Sequence, residues 1–162
     1  MGKTKLNLGC GNDYKKDFLN LDIFSTKADI KWDLEKFPYP FKKNTFEEVL
    51  MKSVLEHLSN PKKALEEIYR ISKPRAKIYI RVPHFSSIHA WGDIEHKRGY
   101  SIRTFTKENL SDKFEMIKQH IEISPSKFFI RPLAKKFPVL YEKYFAYIFT
   151  ANDLIVQLKI IK

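Results

Sequence analysis

The most constraining stretch of the chain is Lys5-Leu-Asn-Leu-Gly-Cys-Gly-Asn-Asp13, where a short apolar run ends in two glycines one residue apart. Such a turn lets backbone approach a ligand closely, because a Cβ at Gly9 or Gly11 would collide with it. The next apolar run, Leu19-Asn-Leu-Asp-Ile-Phe24, alternates in polarity and carries Asp22 at its end. An acid in that place can accept hydrogen bonds from a ribose. Together the two features predict a nucleoside-binding turn at the head of a parallel α/β sheet.

The rest of the chain continues that pattern. Strands are predicted at 4–9, 19–24, 28–33, 46–52, 77–82, 114–123 and 154–161, the last following a long excursion that permits an antiparallel return. Asn60 before Pro61 starts a helix that runs to about Ser72, with Ala64, Leu65, Ile68, Tyr69 and Ile71 on its apolar side. A second helix is expected from Thr104 or Thr106 through Lys113. Strands alternating with connectors argue a Rossmann-like α/β sheet. The connectors after the first two strands are too short for full helices, since a parallel crossover normally needs about a dozen residues.

Composition bounds the rest. A chain of 162 residues has room for one core, which predicts a single domain over 1–162. Hydrophobic content of 43% excludes a disordered chain. No apolar run approaches the roughly twenty residues of a spanning helix. The first residues lack the apolar stretch of a signal peptide, and Cys10 is the only cysteine; both point to a cytoplasmic protein. The net charge of +11 is uneven: residues 1–60 carry +1, residues 61–122 carry +5 and residues 123–162 carry +5. An anionic partner fits the basic two-thirds, and so does a lysine-rich coat.

The ordered set Leu6-Asn-Leu-Gly-Cys-Gly11, Leu21-Asp22-Ile23, Trp32-Asp33-Leu34, Phe37-Pro-Tyr-Pro-Phe41, Phe46 to Leu58, Tyr69-Arg-Ile-Ser-Lys-Pro74 and Ile78 to Pro83 resembles the class I S-adenosylmethionine-dependent methyltransferases, in their small type 11 branch. That resemblance implies a seven-strand sheet with a reversed last strand and S-adenosylmethionine as cofactor. It implies that Gly9, Cys10, Gly11 and Asn12 pass along the methionine part, Asp22 and Ile23 meet the ribose, Asp33 and Leu34 flank the adenine, and Lys52 and Ser53 line the methionine end. The turn lacks the third glycine of the dinucleotide fingerprint, which disfavours NAD. In the family the helices after the first two strands cover one face of the sheet, and a parallel sheet needs both faces covered. With the early ones missing here, the expectation is an uncovered face closed by a homodimer or by the tail.

The acceptor is read from His84-Phe-Ser-Ser-Ile-His89-Ala-Trp91-Gly-Asp93-Ile-Glu-His96, which follows the fifth strand. His84, Asp93 and His96 are the candidates for proton transfer to or from a substrate. The histidine spacings match no strong metal motif, so no metal is expected. The acceptor is expected to be a small molecule, anionic or glycosylated. An RNA methyltransferase and a non-catalytic cofactor-binding module are the alternatives. The segment 125–152 reads as a basic, aromatic helical insertion. It suits a lid over the sheet, a peripheral membrane contact or an RNA-stacking surface.

Overall fold

The computed structural model describes residues 2–162. Seven strands form one sheet in the order β3-β2-β1-β4-β5-β7-β6. They are β1 (Lys5–Leu8), β2 (Leu19–Asp22), β3 (Ile30–Lys31), β4 (Phe46–Lys52), β5 (Ser72–Pro83), β6 (Phe114–Glu122) and β7 (Asp153–Ile160). The first five are parallel, and β7 runs antiparallel to both β5 and β6. The expected reversed last strand is therefore present. Strand order turns back between β1 and β4, and the crevice beyond their carboxyl ends is where such sheets take ligands.

Helix α1 (Pro61–Ile71) forms as expected. The Asn60 side chain accepts from the Lys63 N–H at 2.9 Å, and Pro61 occupies the first turn, where its missing N–H costs nothing. Losing that cap would cost about 1 kcal/mol. Ala64, Ile68 and Ile71 are buried on its inner face. The third strand is only two residues long, and the helix expected to Lys113 is one turn, α3 (Lys107–Leu110), tightening into a 3-10 turn at Ser111–Lys113. Strand β5 begins five residues earlier than expected, with Ser72 beside Phe46. The insertion contains α4 (Arg131–Lys136) and α5 (Pro138–Tyr144), whose Ala134 and Tyr141 join the common core.

The strand register corrects one expectation. No helix follows β1 or β2, but the face left without them is not apolar. Leu21, Leu8, Met51, Ile80 and Val156 lie side by side across five strands, all buried in the common core that also holds Ala64, Ile68 and Ile71 of α1. On the opposite face one row reads Asn20, Asn7, Leu50, Tyr79 and Gln157, with Leu50 buried, and the next reads Lys5, Glu48, Lys77, Lys159 and Glu115. Lys5 pairs with Glu48 at 3.0 Å and Lys159 with Glu115 at 3.0 Å. Gln157 donates to the Tyr79 hydroxyl at 3.2 Å, and Arg81 to Asp153 at 2.9 Å. Exposed pairs of this kind are worth about 0.2–1 kcal/mol each. Their main effect is to make one face wettable. The 11–18 connector closes only the edge, where Asn7 donates to Asn20 and to the Asp13 carbonyl. Among the described residues this face carries mostly polar and charged side chains, so it gives no support to a homodimer through it.

Candidate functional site

A cleft of about 610 Å³ opens at the carboxyl ends of β1, β2 and β4. Its floor is the glycine turn. Gly9 and Gly11 both have positive φ, +62° and +48°. They serve different ends. A Cβ on Gly9 would stand 2.4 Å from a Val54 methyl carbon, so this glycine lets β1 pack against the segment after β4. Beside Gly11 a Cβ would meet nothing within 4 Å. Gly11 lines the cleft and leaves its backbone bare to a ligand.

Asp22 ends β2 at the wall of the cleft. One carboxylate oxygen accepts the Gly11 N–H at 2.8 Å, and the other accepts those of Phe24 and Ser25, each at 2.8 Å. Burial works against the charge, but the Ser25, Gly11 and Phe24 donors outweigh it and hold the carboxyl below its usual value. An ionised carboxylate has about four lone-pair sites, so one acceptor direction remains. The Ser25 hydroxyl closes the loop by donating to the Gly11 carbonyl at 2.6 Å. Across the cleft, Asp33 accepts the Glu35 N–H on one oxygen at 2.9 Å, and the other has no partner among the described residues. Ile23, Phe24, Trp32, Leu34 and Leu58 supply the apolar wall, and Ser53, at φ 52°, lies at the end of β4.

Not every residue expected at the cofactor meets the cleft. Cys10 is buried beneath the turn, and burial raises its thiol pKa. Asn12 and Lys52 do not line the cavity; the Lys52 ammonium pairs with Asp13 at 3.0 Å. Conversely, Glu35, His57, Ile94, Glu95 and Lys97 line it without having been singled out as binding residues. Lys97 bridges Glu35 at 3.0 Å and the Ser59 hydroxyl at 2.7 Å, which ties three loops at one end. Neither charge carries a local sequence signal, since the partners are 62 residues apart.

Of the three residues expected to handle a proton, His84 stands apart while Asp93 and His96 remain together. His84 is fully buried: its Nε2 donates to Glu142 at 3.1 Å, while its Nδ1 accepts the Ser86 N–H at 3.2 Å. It supports the fold away from the cleft. His96 instead stacks edge-on against His57, with ring centroids 4.5 Å apart, and its Nε2 lies 3.8 Å from Asp93. Behind them sits Glu56, 1% exposed, with no hydrogen-bond partner on either carboxylate oxygen. Burial pushes its pKa up to about 7, against the pull of His96. Burial and the neighbouring His96 lower that of His57. Ligand atoms of Glu56, His57 and His96 lie within 4.8 Å of one another, so the group can share a proton or take a divalent ion.

Residues 10–80 match the family described as "Methyltransferase domain". Solved structures share the whole fold. A SAM-dependent methyltransferase from Archaeoglobus fulgidus superposes with a TM-score of 0.67 at 20% identity, covering 96% of this chain and 85% of that one. One from Mesorhizobium loti gives 0.65 at 13% identity, over 98% and 93%. The [4+2]-cyclase SpnF gives 0.64 at 15% identity, over 97% and 75%, so the fold also carries other chemistry. No curated protein matches. The match over residues 10–80 and the sheet order give this chain the fold of the class I S-adenosylmethionine-dependent methyltransferase family. S-adenosylmethionine is the cofactor of that family, and the bare Gly11 backbone beside a free Asp22 acceptor direction suits its nucleoside.

Proposed function

We propose that this protein transfers the methyl group of S-adenosylmethionine to a small-molecule acceptor entering past Ile94, Glu95 and Lys97. The observation that carries the reading is the convergence of Gly11, Asp22, Asp33 and Ser53 on one cleft. Asp22 takes a ribose hydroxyl on its remaining acceptor direction. Asp33 takes the adenine amine on its free oxygen, with Ile23 and Leu34 against the ring. Gly9 and Gly11 keep the turn low enough for the methionine part to lie along it. When bound, the cofactor supplies a methyl group on a positively charged sulfur.

The chain's own contribution is position and a proton acceptor. In-line displacement rewards a fixed approach, and Lys97 fixes the loops at the mouth. His57 faces the cleft, with His96 and Glu56 stacked behind it. A carboxyl with a pKa near neutrality in contact with imidazoles suits removal of a proton from an oxygen or nitrogen acceptor. Asp93, half exposed beside His96, completes the relay to solvent.

Calorimetric titration with S-adenosylhomocysteine tests the cofactor reading, and a folded protein that gives no binding heat overturns it. For the proton acceptor, His96→Ala and Asp93→Ala are expected to lower turnover on an accepted substrate while leaving cofactor affinity unchanged. Full turnover in both removes that assignment.

A further inference from the structure

The insertion covers the core with one side and leaves the other without a partner. Tyr141 is fully buried, and Glu142 turns inward to His84, Ser101 and Ile102. Phe137, Leu140 and Tyr144 fall at helical spacing along one flank of α5, beside the buried Tyr141, and all three are exposed. Phe128, Tyr147 and Ile148 extend the patch, at 72%, 81% and 71% exposed. The two arms meet, because the Phe129 ring packs on Phe149 at 5.1 Å and Lys127 holds the Thr150 carbonyl at 2.7 Å. Among the described residues, half of the large exposed hydrophobic side chains lie between 128 and 148. A patch this apolar on a globular protein marks an interaction surface.

Its charge selects the partner. Arg131, Lys135, Lys136 and Lys143 surround the stripe, and the segment's one acid, Glu142, is the residue turned inward. Lys136 lies over the Phe137 ring and Lys143 over that of Tyr144, so cations and aromatics share one level. A second copy of this chain would bring like charges together across a two-fold interface. Nucleic-acid bases stack on aromatic rings, but Leu140 and Ile148 offer none. Rings and aliphatic side chains at the depth of lysine ammonium groups match the headgroup boundary of an anionic bilayer.

We propose that the 128–148 surface docks this protein on an anionic lipid bilayer. The surface continues toward the cleft. Tyr147 packs on Phe85 at 5.5 Å, and Phe85 begins the stretch carrying the exposed Ile88, Trp91 and Ile94. Ile94, wholly exposed, also lines the cleft. Docking brings the cleft mouth to the membrane surface. This inference does not depend on methyl transfer.

Co-sedimentation with vesicles tests it. Binding is expected to phosphatidylcholine vesicles containing phosphatidylserine, weakening as salt rises, and to be at least tenfold poorer to phosphatidylcholine alone. Trp91 emission is expected to shift to the blue on binding. Two double variants, Leu140→Ser with Ile148→Ser and Lys135→Glu with Lys136→Glu, are each expected to lose about tenfold or more in vesicle affinity. All four positions are exposed, so the circular dichroism melt is expected to stay put and serves as the folding control. No binding to anionic vesicles at low salt overturns the proposal, as does binding that neither double variant reduces. Oligonucleotide binding lost in the lysine variant, without vesicle binding, reassigns the surface to RNA. A stable dimer that protects Tyr144 and Ile148 in solution reassigns it to a second copy.

Discussion

Glu56 and Glu142 are both buried glutamates, and they titrate in opposite directions. Glu142 receives three donors, from His84, the Ile102 N–H and the Ser101 hydroxyl. Burial opposes its charge, yet these donors hold its pKa below the usual value. Glu56 receives none, and burial carries its pKa up to about 7. Burial alone does not say what a carboxylate is for. A fully bonded one is a tie in the structure, while an unbonded one beside imidazoles is a reservoir for a proton.

The largest expected effect comes from cutting the tie. Glu142→Ala leaves His84, Ser101 and the Ile102 N–H without their acceptor, and is expected to cost about 3–5 kcal/mol in urea denaturation. A loss under about 1 kcal/mol would break the contrast. Next comes pH. Glu56 has a raised folded pKa, so the folded state holds its proton more tightly, and its contribution to stability falls as pH rises from 4.5 to about 7. The span corresponds to about 3 kcal/mol as an upper value. Glu142 and His57 have lowered folded pKa values and run the other way, losing stability as pH falls below 4.5 and 6.5 respectively. Comparing the stability of the wild-type protein and Glu56→Gln across that window isolates the Glu56 slope. An unchanged slope sinks the raised pKa.

Asp22 is a third case, bonded like Glu142 but facing the cleft. Asp22→Asn exchanges one acceptor oxygen for a donor against three N–H groups, and is expected to weaken S-adenosylhomocysteine binding by about tenfold or more in calorimetry. Unchanged affinity would leave Asp22 a loop tie alone. The smallest effect sharpens the comparison from outside. Glu48→Gln on the open face, paired with Lys5 in solvent, is expected to change stability by less than about 1 kcal/mol.

Local pattern made the sheet legible. The glycine turn, Asp22 and the Asn60-Pro61 helix start act within a few residues of themselves, and each is where the sequence implied. What failed to show were partners distant along the chain. His84 reads as chemistry because it follows a strand and heads a run of histidines; its role is fixed by Glu142, 58 residues away. Glu35 and Lys97 are alike in this respect. Glu56 gave no signal because its character comes from what does not touch it. The alternation in Lys5–Leu8 and Lys77–Val82 was visible, but parallel strands usually bury both sides, and that expectation masked a face built for water.

That wettable face has a consequence for how such proteins change size. A layer of helices can be absent when every second strand position trades a branched apolar side chain for a lysine, glutamate or glutamine. Lys5, Glu48, Lys77, Gln157 and Lys159 are such positions, and each suits a sheet face open to water because a charge buried under a helix layer would be costly. The cofactor cleft lies at the strand ends and is untouched by the exchange. Chain length and ligand chemistry can therefore drift independently, and thickness becomes a trait set by alternate residues.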